Sequence, residues 1–485
     1  MPWHLSCDRY SAVRWRKPMT GSVSKPEFPH FDPPVVGGGS VKDGPVVDAI
    51  IIGAGLAGLA AARHLMRDGA SVRVLEARDR VGGRVQSERL ASGHVIDLGA
   101  QLIGDAQTRI SALVDEVGLT RVARNPVGDT VHMPSPGAEP VLARGGSLPL
   151  SLIGKLDALQ ALWDFDGRLK SFRTDIDHLD AMTASDFITD MTFTRAPAAF
   201  LAGFIEGELC APLDEVSAYE LLDQSASVGG FDGERASADW YLSEGMAPVA
   251  DHLATALGGD LILNAAVTEI EQHAEWHRVS TGAGTYRARN LVVTTPPQLY
   301  GKLGLLPLLP PERREVLATY RHGEVIKTIL VFERPWWRDR GLSGDVFSPG
   351  SAFNAALDGS PANGGVGILV LFATAATARR LSQTQAECER ISKALDWLRS
   401  LGGSPMPNPI AARSIDWNAD PWSLGGYASR RPIRGWSATP DLFAASQRVH
   451  FAGSETATEW RSFMEGALQS AERAADAVRG DLSTL

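Results

Sequence analysis

The sequence predicts a mixed α/β protein, with some α+β character, built around a Rossmann-like dinucleotide-binding unit. Three observations predict it. Val46 to Ile52 is a run rich in β-branched residues that stops at Gly53-Ala54-Gly55-Leu56-Ala57-Gly58, as a buried parallel strand does on entering a tight turn. Leu59 to Arg67 follows with helical character and Gly69 as its stop. Ser71 to Leu75 reads as a second strand and ends in Glu76.

Each position has a chemical reason. Gly53 permits the turn, Gly55 lets a pyrophosphate approach the backbone, and Gly58 lets the helix pack on the sheet. The helix N-terminus then offers free N–H groups and a positive dipole end to phosphate. Glu76 stands 18 residues beyond Gly58, where an acid accepts hydrogen bonds from ribose hydroxyls. This fingerprint serves NAD and FAD alike. Gly82-Gly83-Arg84 lies just beyond it and can bring another backbone turn and a guanidinium to the pyrophosphate. His94 to Leu98 is a further strand, and Gly99-Ala100-Gln101 follows it.

At 485 residues the chain is long enough for two or three domains. Apolar residues make up 44% and charged residues 21%, an ordinary globular balance. The formal net charge of −10 argues against nucleic-acid binding and against docking on anionic lipid, which need a basic face. Cys7, Cys210 and Cys388 form no CxxC pair and no even framework, so disulfides are not expected to hold the fold. Residues 1–44 read as a disordered tail, Pro- and Gly-rich, with no apolar run after Arg14, Arg16 and Lys17 to make a secretory or twin-arginine signal. Either Met1 or Met19 fits as the start. The apolar stretch from Ala49 to Ala62 is too short to span a bilayer. His273, Glu275 and His277 have a metal-like spacing only on a helix, and their surroundings read as strands; no metal is expected. There is no GxSxG elbow, no phosphate loop ending in GK[ST] and no solenoid repeat.

Taken together these residues resemble the flavin monoamine oxidase family of the FAD-dependent amine oxidase superfamily. Its opening of GxGxxG, Glu-Ala-Arg, GGR and Asp-Leu-Gly stands here as Gly53/Gly55/Gly58, Glu76-Ala77-Arg78, Gly82-Gly83-Arg84 and Asp97-Leu98-Gly99. Its closing segment is similar to Val449 to Thr456, with Gly453 and Glu455, followed by Phe463-Met464-Glu465-Gly466 at the start of a helix. Asn264 to Val267, Leu291 to Pro297 and Val325 to Thr328 match middle segments, so the likeness covers roughly Val46 to Gly480.

The resemblance implies a glutathione-reductase-type FAD-binding domain with a discontinuous substrate-binding domain. The pieces would be 45–122, 246–304 and 435–485 for FAD, and 123–245 (helical) and 305–434 for substrate. It makes Glu76 the ribose acid and Arg78 and Arg84 partners of the nucleotide half. Val267 meets the adenine, and Gly99, Ala100, Gln101 and Leu102 the isoalloxazine. Gly453 and Glu455 take the ribityl–phosphate region, and Met464 begins the helix aimed at the flavin's pyrimidine edge. Lys327 reaches a water at flavin N5; its β-branched neighbours favour burial over a solvated strand lysine. Tyr427 and Phe463 face each other at the flavin as a substrate cage, with phenylalanine where tyrosine is often found.

Further expectations follow from departures. Gly426 stands where covalent relatives carry cysteine, so FAD should be non-covalent. Gly99 to Ile103 lacks the arginine that amino acid oxidases aim at a carboxylate, and a buried unpaired carboxylate is costly. An amine without an α-carboxylate is therefore expected. It would give hydride from its α-carbon to flavin N5, the imine would hydrolyse to a carbonyl, and electrons would pass to dioxygen or a carrier protein. Amino acid or polyamine oxidation, a related flavin dehydrogenase and a non-catalytic flavin-binding module are the alternatives. A cytoplasmic location is expected, without membrane attachment, and a homodimer is left open. Trp240, Tyr241 and Trp422 are further candidate pocket walls.

Overall fold

The computed structural model describes residues 44–484 apart from 125–126, 145–146, 362–364 and 403–405. Residues 1–43 of the expected tail, with both candidate starts, lie outside the described residues. In chain order, the elements that position the site are β1 (Val46–Ile52), α1 (Leu56–Arg67), β2 (Val72–Leu75), β3 (Ser87–Arg89) and β4 (Val95–Asp97). Then come α2 (Arg195–Leu209), α3 (Ala218–Val228), β5 (Trp240–Leu242), β6 (Leu261–Ile262), β7 (Val267–Gln272), β8 (His277–Thr281) and β9 (Gly284–Val293). The last are β10 (Val325–Phe332), β11 (Gly367–Thr374), β12 (Val449–Phe451) and α4 (Met464–Ser483).

One sheet runs β7-β8-β9-β1-β2-β6, with β12 added beside β9. Its centre, β1 with β2 and β9, is parallel, which explains why Ala49 to Ile52 are buried on both faces. Helices α1 and α4 pack on one face with Ile51 and Val74. Ile50, Ile52, Leu291 and Val293 join a second core on the other. Its strands come from three stretches far apart in the chain, so the sheet that the β1-α1-β2 unit begins is completed only when β12 joins beside β9.

A second sheet carries Ala411–Asp416, β10, β11, Ala355–Asp358, Leu342–Phe347, Asp129–His132 and Val141–Ala143 in that order. All eight residues of β10 are buried because both its faces are covered. Ile326, Leu330 and Phe332 pack toward the helix Glu387–Ser400. Ile329 and Val331 meet Leu90, Ile96 and Leu98 around the β3–β4 hairpin. Period-two alternation puts Lys327 on this second face. Helices between 152 and 235 form a core of their own around Phe187, Leu213 and Leu222.

His273 stacks on Trp276 with ring centroids 3.9 Å apart, and His277 reaches the Gln447 carbonyl at 3.0 Å. The two histidines thus have separate partners. Cys210 is a buried free thiol pushed up to about 12 by burial. Cys388 is disulfide-bonded. Among the described residues no helix is long and apolar enough to cross a membrane.

Candidate active site

The first turn and the Gly82-Gly83 turn stack backbone to backbone. Gly82 N–H donates to the Ala54 carbonyl at 2.9 Å, and a Cβ on Gly83 would stand 3.3 Å from Gly55 Cα. Gly58 is forced by contact, since a Cβ there would lie 1.9 Å from the Gly53 carbonyl oxygen. Glu76 is buried, accepting from Ala54 N–H at 2.7 Å and Arg78 N–H at 2.9 Å. A carboxylate has about four acceptor sites, so these bonds orient Glu76 and leave lone pairs for further donors. Gly99 admits no side chain: a Cβ would meet the Arg84 carbonyl oxygen at 2.0 Å, while Ala100 N–H donates to the same oxygen.

These turns open on a cavity of 690 Å³, within the range of small-molecule sites. Gly53, Gly55, Glu76, Arg78, Gly83, Arg84, Gly99, Ala100, Gln101, Leu102, Val267, Gly453 and Met464 line it, and so do Lys327, Tyr427 and Phe463. Gly58 and Glu455 do not. Glu455 stands one layer behind, bonded to Arg84 at 2.6 Å and near His322 at 3.3 Å. Burial pushes its carboxyl up, but Arg84 and His322 outweigh this and hold it low. Burial lowers His322 to about 4, with Arg84 adding to the effect. Arg84 also donates to Ser454 Oγ at 3.1 Å, so it ties the two ends of the chain together. Arg78 is held by Asp420 at 2.5 Å and Ser423 at 2.9 Å.

Lys327 Nζ donates to the Gly99 carbonyl and to Gln101 Oε1, both at 2.8 Å. Burial lowers it to about 8, against the opposing charge of Asp97. The Tyr427 hydroxyl donates to the Gly207 carbonyl at 2.6 Å. Tyr427 as a whole is 38% exposed and fronts the cavity. Phe463 caps the N-terminus of α4 and packs edge-on to Trp460 at 5.4 Å. Helix α3 holds this loop: Gln224 donates to the Arg461 carbonyl at 2.7 Å, and Trp460 N–H to the Ser227 carbonyl at 2.8 Å.

Several lining groups carry no local motif. Glu208 follows the carbonyl that anchors Tyr427, and Glu234 faces it. Burial first, then the charge and hydrogen bond of Glu208, push Glu234 up to about 8. Arg124 pairs with Asp345 at 2.7 Å on the same wall. Of the three tryptophan and tyrosine candidates only Trp422 lines this cavity; Trp240 turns away to bond Asp105 at 2.8 Å.

Two glycine turns in backbone contact, an oriented buried acid and a helix N-terminus on one cavity fit a dinucleotide. The aromatic pair and buried lysine on the same cavity fit a redox cofactor with a reacting ring. The fold and site therefore define a flavin-dependent oxidoreductase. A model of the flavin containing amine oxidoreductases matches residues 56–479, and the chain belongs to that family. It is 30% identical to an L-amino acid dehydrogenase of Synechocystis sp., over 89% of this chain and 95% of the relative. It is also 30% identical to the flavin-containing amine oxidase B of Sus scrofa, over 88% and 85%. A solved structure of a putrescine oxidase bound to putrescine superposes with a TM-score of 0.83 at 28% identity, covering 90% of this chain and 99% of that one.

FAD is the cofactor these residues would hold. Gly426 offers no thiol, and Cys210 is buried and un-ionised, so acid precipitation of the holoprotein is expected to release the yellow colour into the supernatant. A coloured pellet after washing would overturn non-covalent binding.

Proposed function

We propose that this chain oxidises an amine without an α-carboxylate, held as the neutral base between Tyr427 and Phe463, with dioxygen as the electron acceptor. The supporting observation is that Lys327 Nζ, Tyr427 and Phe463 share one cavity with the dinucleotide cradle. Bound FAD supplies the hydride acceptor that side chains lack. The residues supply placement. The Tyr427 ring is pinned through its hydroxyl, Phe463 through the α3 contacts, and both exclude water from the amine. Lys327 holds or releases a proton at Nζ near neutral pH.

The test is anaerobic mixing of purified holoprotein with alkyl, aryl and secondary amines beside α-amino acids. Bleaching by an amine is expected. Bleaching by α-amino acids alone would replace the proposal with a second reading, which Arg235 on the cavity wall and the Synechocystis relative favour. Arg124 counts less toward that reading because Asp345 already neutralises it.

The Glu208–Glu234 pair gives the panel a pH dependence. Below about 8 Glu234 keeps its proton, and as pH rises through that value it gains a negative charge. The kcat/KM of a diamine relative to a monoamine of equal length is expected to rise roughly tenfold from pH 7 to pH 9, as the far ammonium gains a full partner. Glu234→Gln should flatten that ratio, and an unchanged slope would remove the pair from substrate recognition.

A further inference from the structure

Behind Gln101 lies a second cavity, of 240 Å³. It fills the space between the β3–β4 hairpin and the sheet face carrying Ile329, Ile368 and Val370, with Tyr241 of β5 on its wall. Its rim includes the exposed residues Arg89 and Ser243 and the partly exposed His94 and Glu244. Among the described residues Gln101 alone lines both this cavity and the larger one.

The inner end is polar. Asp97 lines it, spending Oδ1 on Ser87 Oγ at 2.5 Å and Met246 N–H at 2.9 Å. Tyr241 is 8% exposed, and its hydroxyl is buried without a hydrogen-bond partner among the described residues. A buried hydroxyl without a partner is uncommon and costly. Water resolves it where a cavity is polar and roomy, and this one has room for several molecules at ~30 Å³ each. Asp97 is also the buried charge that acts on Lys327, whose Nζ is fixed by Gln101 Oε1.

The chemistry requires a proton at this place. A neutral amine, dioxygen and one proton together give the iminium ion and hydrogen peroxide. The reaction breaks one C–H bond at the α-carbon and forms a C=N double bond. Two electrons and that hydrogen pass to oxygen, and the second hydrogen of the peroxide is the proton taken up. While amine or product fills the large cavity, solvent reaches Lys327 poorly from that side.

We infer that the second cavity is the proton entrance for Lys327: water held between Tyr241 and Asp97 connects the Arg89–Ser243 rim to the lysine, and the Gln101 side chain partitions this path from the amine. The inference rests on the proposed function, in which dioxygen is the acceptor and Lys327 holds or releases a proton. Gly359 gives a clean way to block the path. A Cβ there would lie 3.5 Å from Gln101 Nε2 and 3.4 Å from Val370 Cγ2, ordinary contact distances, so a larger side chain fills the cavity from the side away from the amine.

Crystals of the wild-type holoenzyme are expected to show ordered water linking the Tyr241 hydroxyl to Asp97, and Gly359→Val crystals to show it displaced. Gly359→Val and the milder Tyr241→Phe should each slow oxygen-dependent turnover, the former about tenfold, a fraction of what a proton-transfer group contributes. Anaerobic bleaching by amine should be unaffected in both. A dry cavity in the wild-type crystal overturns the inference. So does unchanged oxygen turnover in Tyr241→Phe, or in a Gly359→Val protein whose cavity is seen to be filled. A wild-type holoprotein that no amine bleaches overturns the amine-oxidation reading itself, whatever the second cavity contains.

Discussion

Gly58→Val is expected to give a colourless protein with at least a hundredfold weaker affinity for FAD. A Cβ at this position would stand 1.9 Å from the Gly53 carbonyl oxygen and 2.9 Å from Thr294 Oγ1. Neither neighbour can yield cheaply. Gly53 has φ +106 and directly follows β1, while Thr294 Oγ1 donates to the carbonyls of Ile52 and Gly53. The helix must lift off the sheet, and its N-terminus then no longer points at the phosphate position. Overpacking of this kind costs ~1–3 kcal/mol in an adaptable core and more where backbone meets backbone. Gly167→Ala is the control, because a Cβ there meets nothing within 4 Å and alanine favours the helix. Visible absorbance per mole of protein reads the result; a Gly58→Val protein with full flavin content would show that the close approach is not needed.

Lys327→Met should slow oxygen-dependent turnover by about a hundredfold, the lower end of what a positioned acid–base group contributes. The rate of anaerobic bleaching by amine should change only a few-fold. Methionine keeps the volume and packing of the stem, so the lost group is the ammonium with its bonds to Gly99 and Gln101. The sign of the pH effect follows from the lowered value near 8. Nζ is charged below it and neutral above it, so wild-type turnover with oxygen should fall as pH rises through about 8, and Lys327→Met should lack that inflection. Equal oxygen rates in variant and wild type would leave Lys327 a packing residue. Its folding contribution runs the other way: burial disfavours the charged form, so stability rises between about 8 and the ordinary lysine range.

The nucleotide half is legible in the sequence because its chemistry is local. Val46 to Glu76 compresses strand, turn, helix and acid into one stretch, and each constraint acts over a few residues. Lys327 is legible because a lysine inside an all-buried strand is unusual. Asp97, Glu208 and Glu234 are not legible as partners, since the contacts that perturb them join segments separated in the chain and follow no spacing rule. Glu455 shows the limit of motif reasoning: the residue is in place, yet its side chain faces Arg84 and not the cavity. Trp240 shows another limit, because apolar bulk in a sequence does not say which way a ring turns.

The Arg84–Ser454 hydrogen bond spans 370 residues, and α4 supplies the final wall. Everything from β1 to the start of α4 must therefore be synthesised before the vitamin-derived group meets a complete pocket. Nascent chains halted ahead of α4 would lack the wall that Met464 and Ala467 supply.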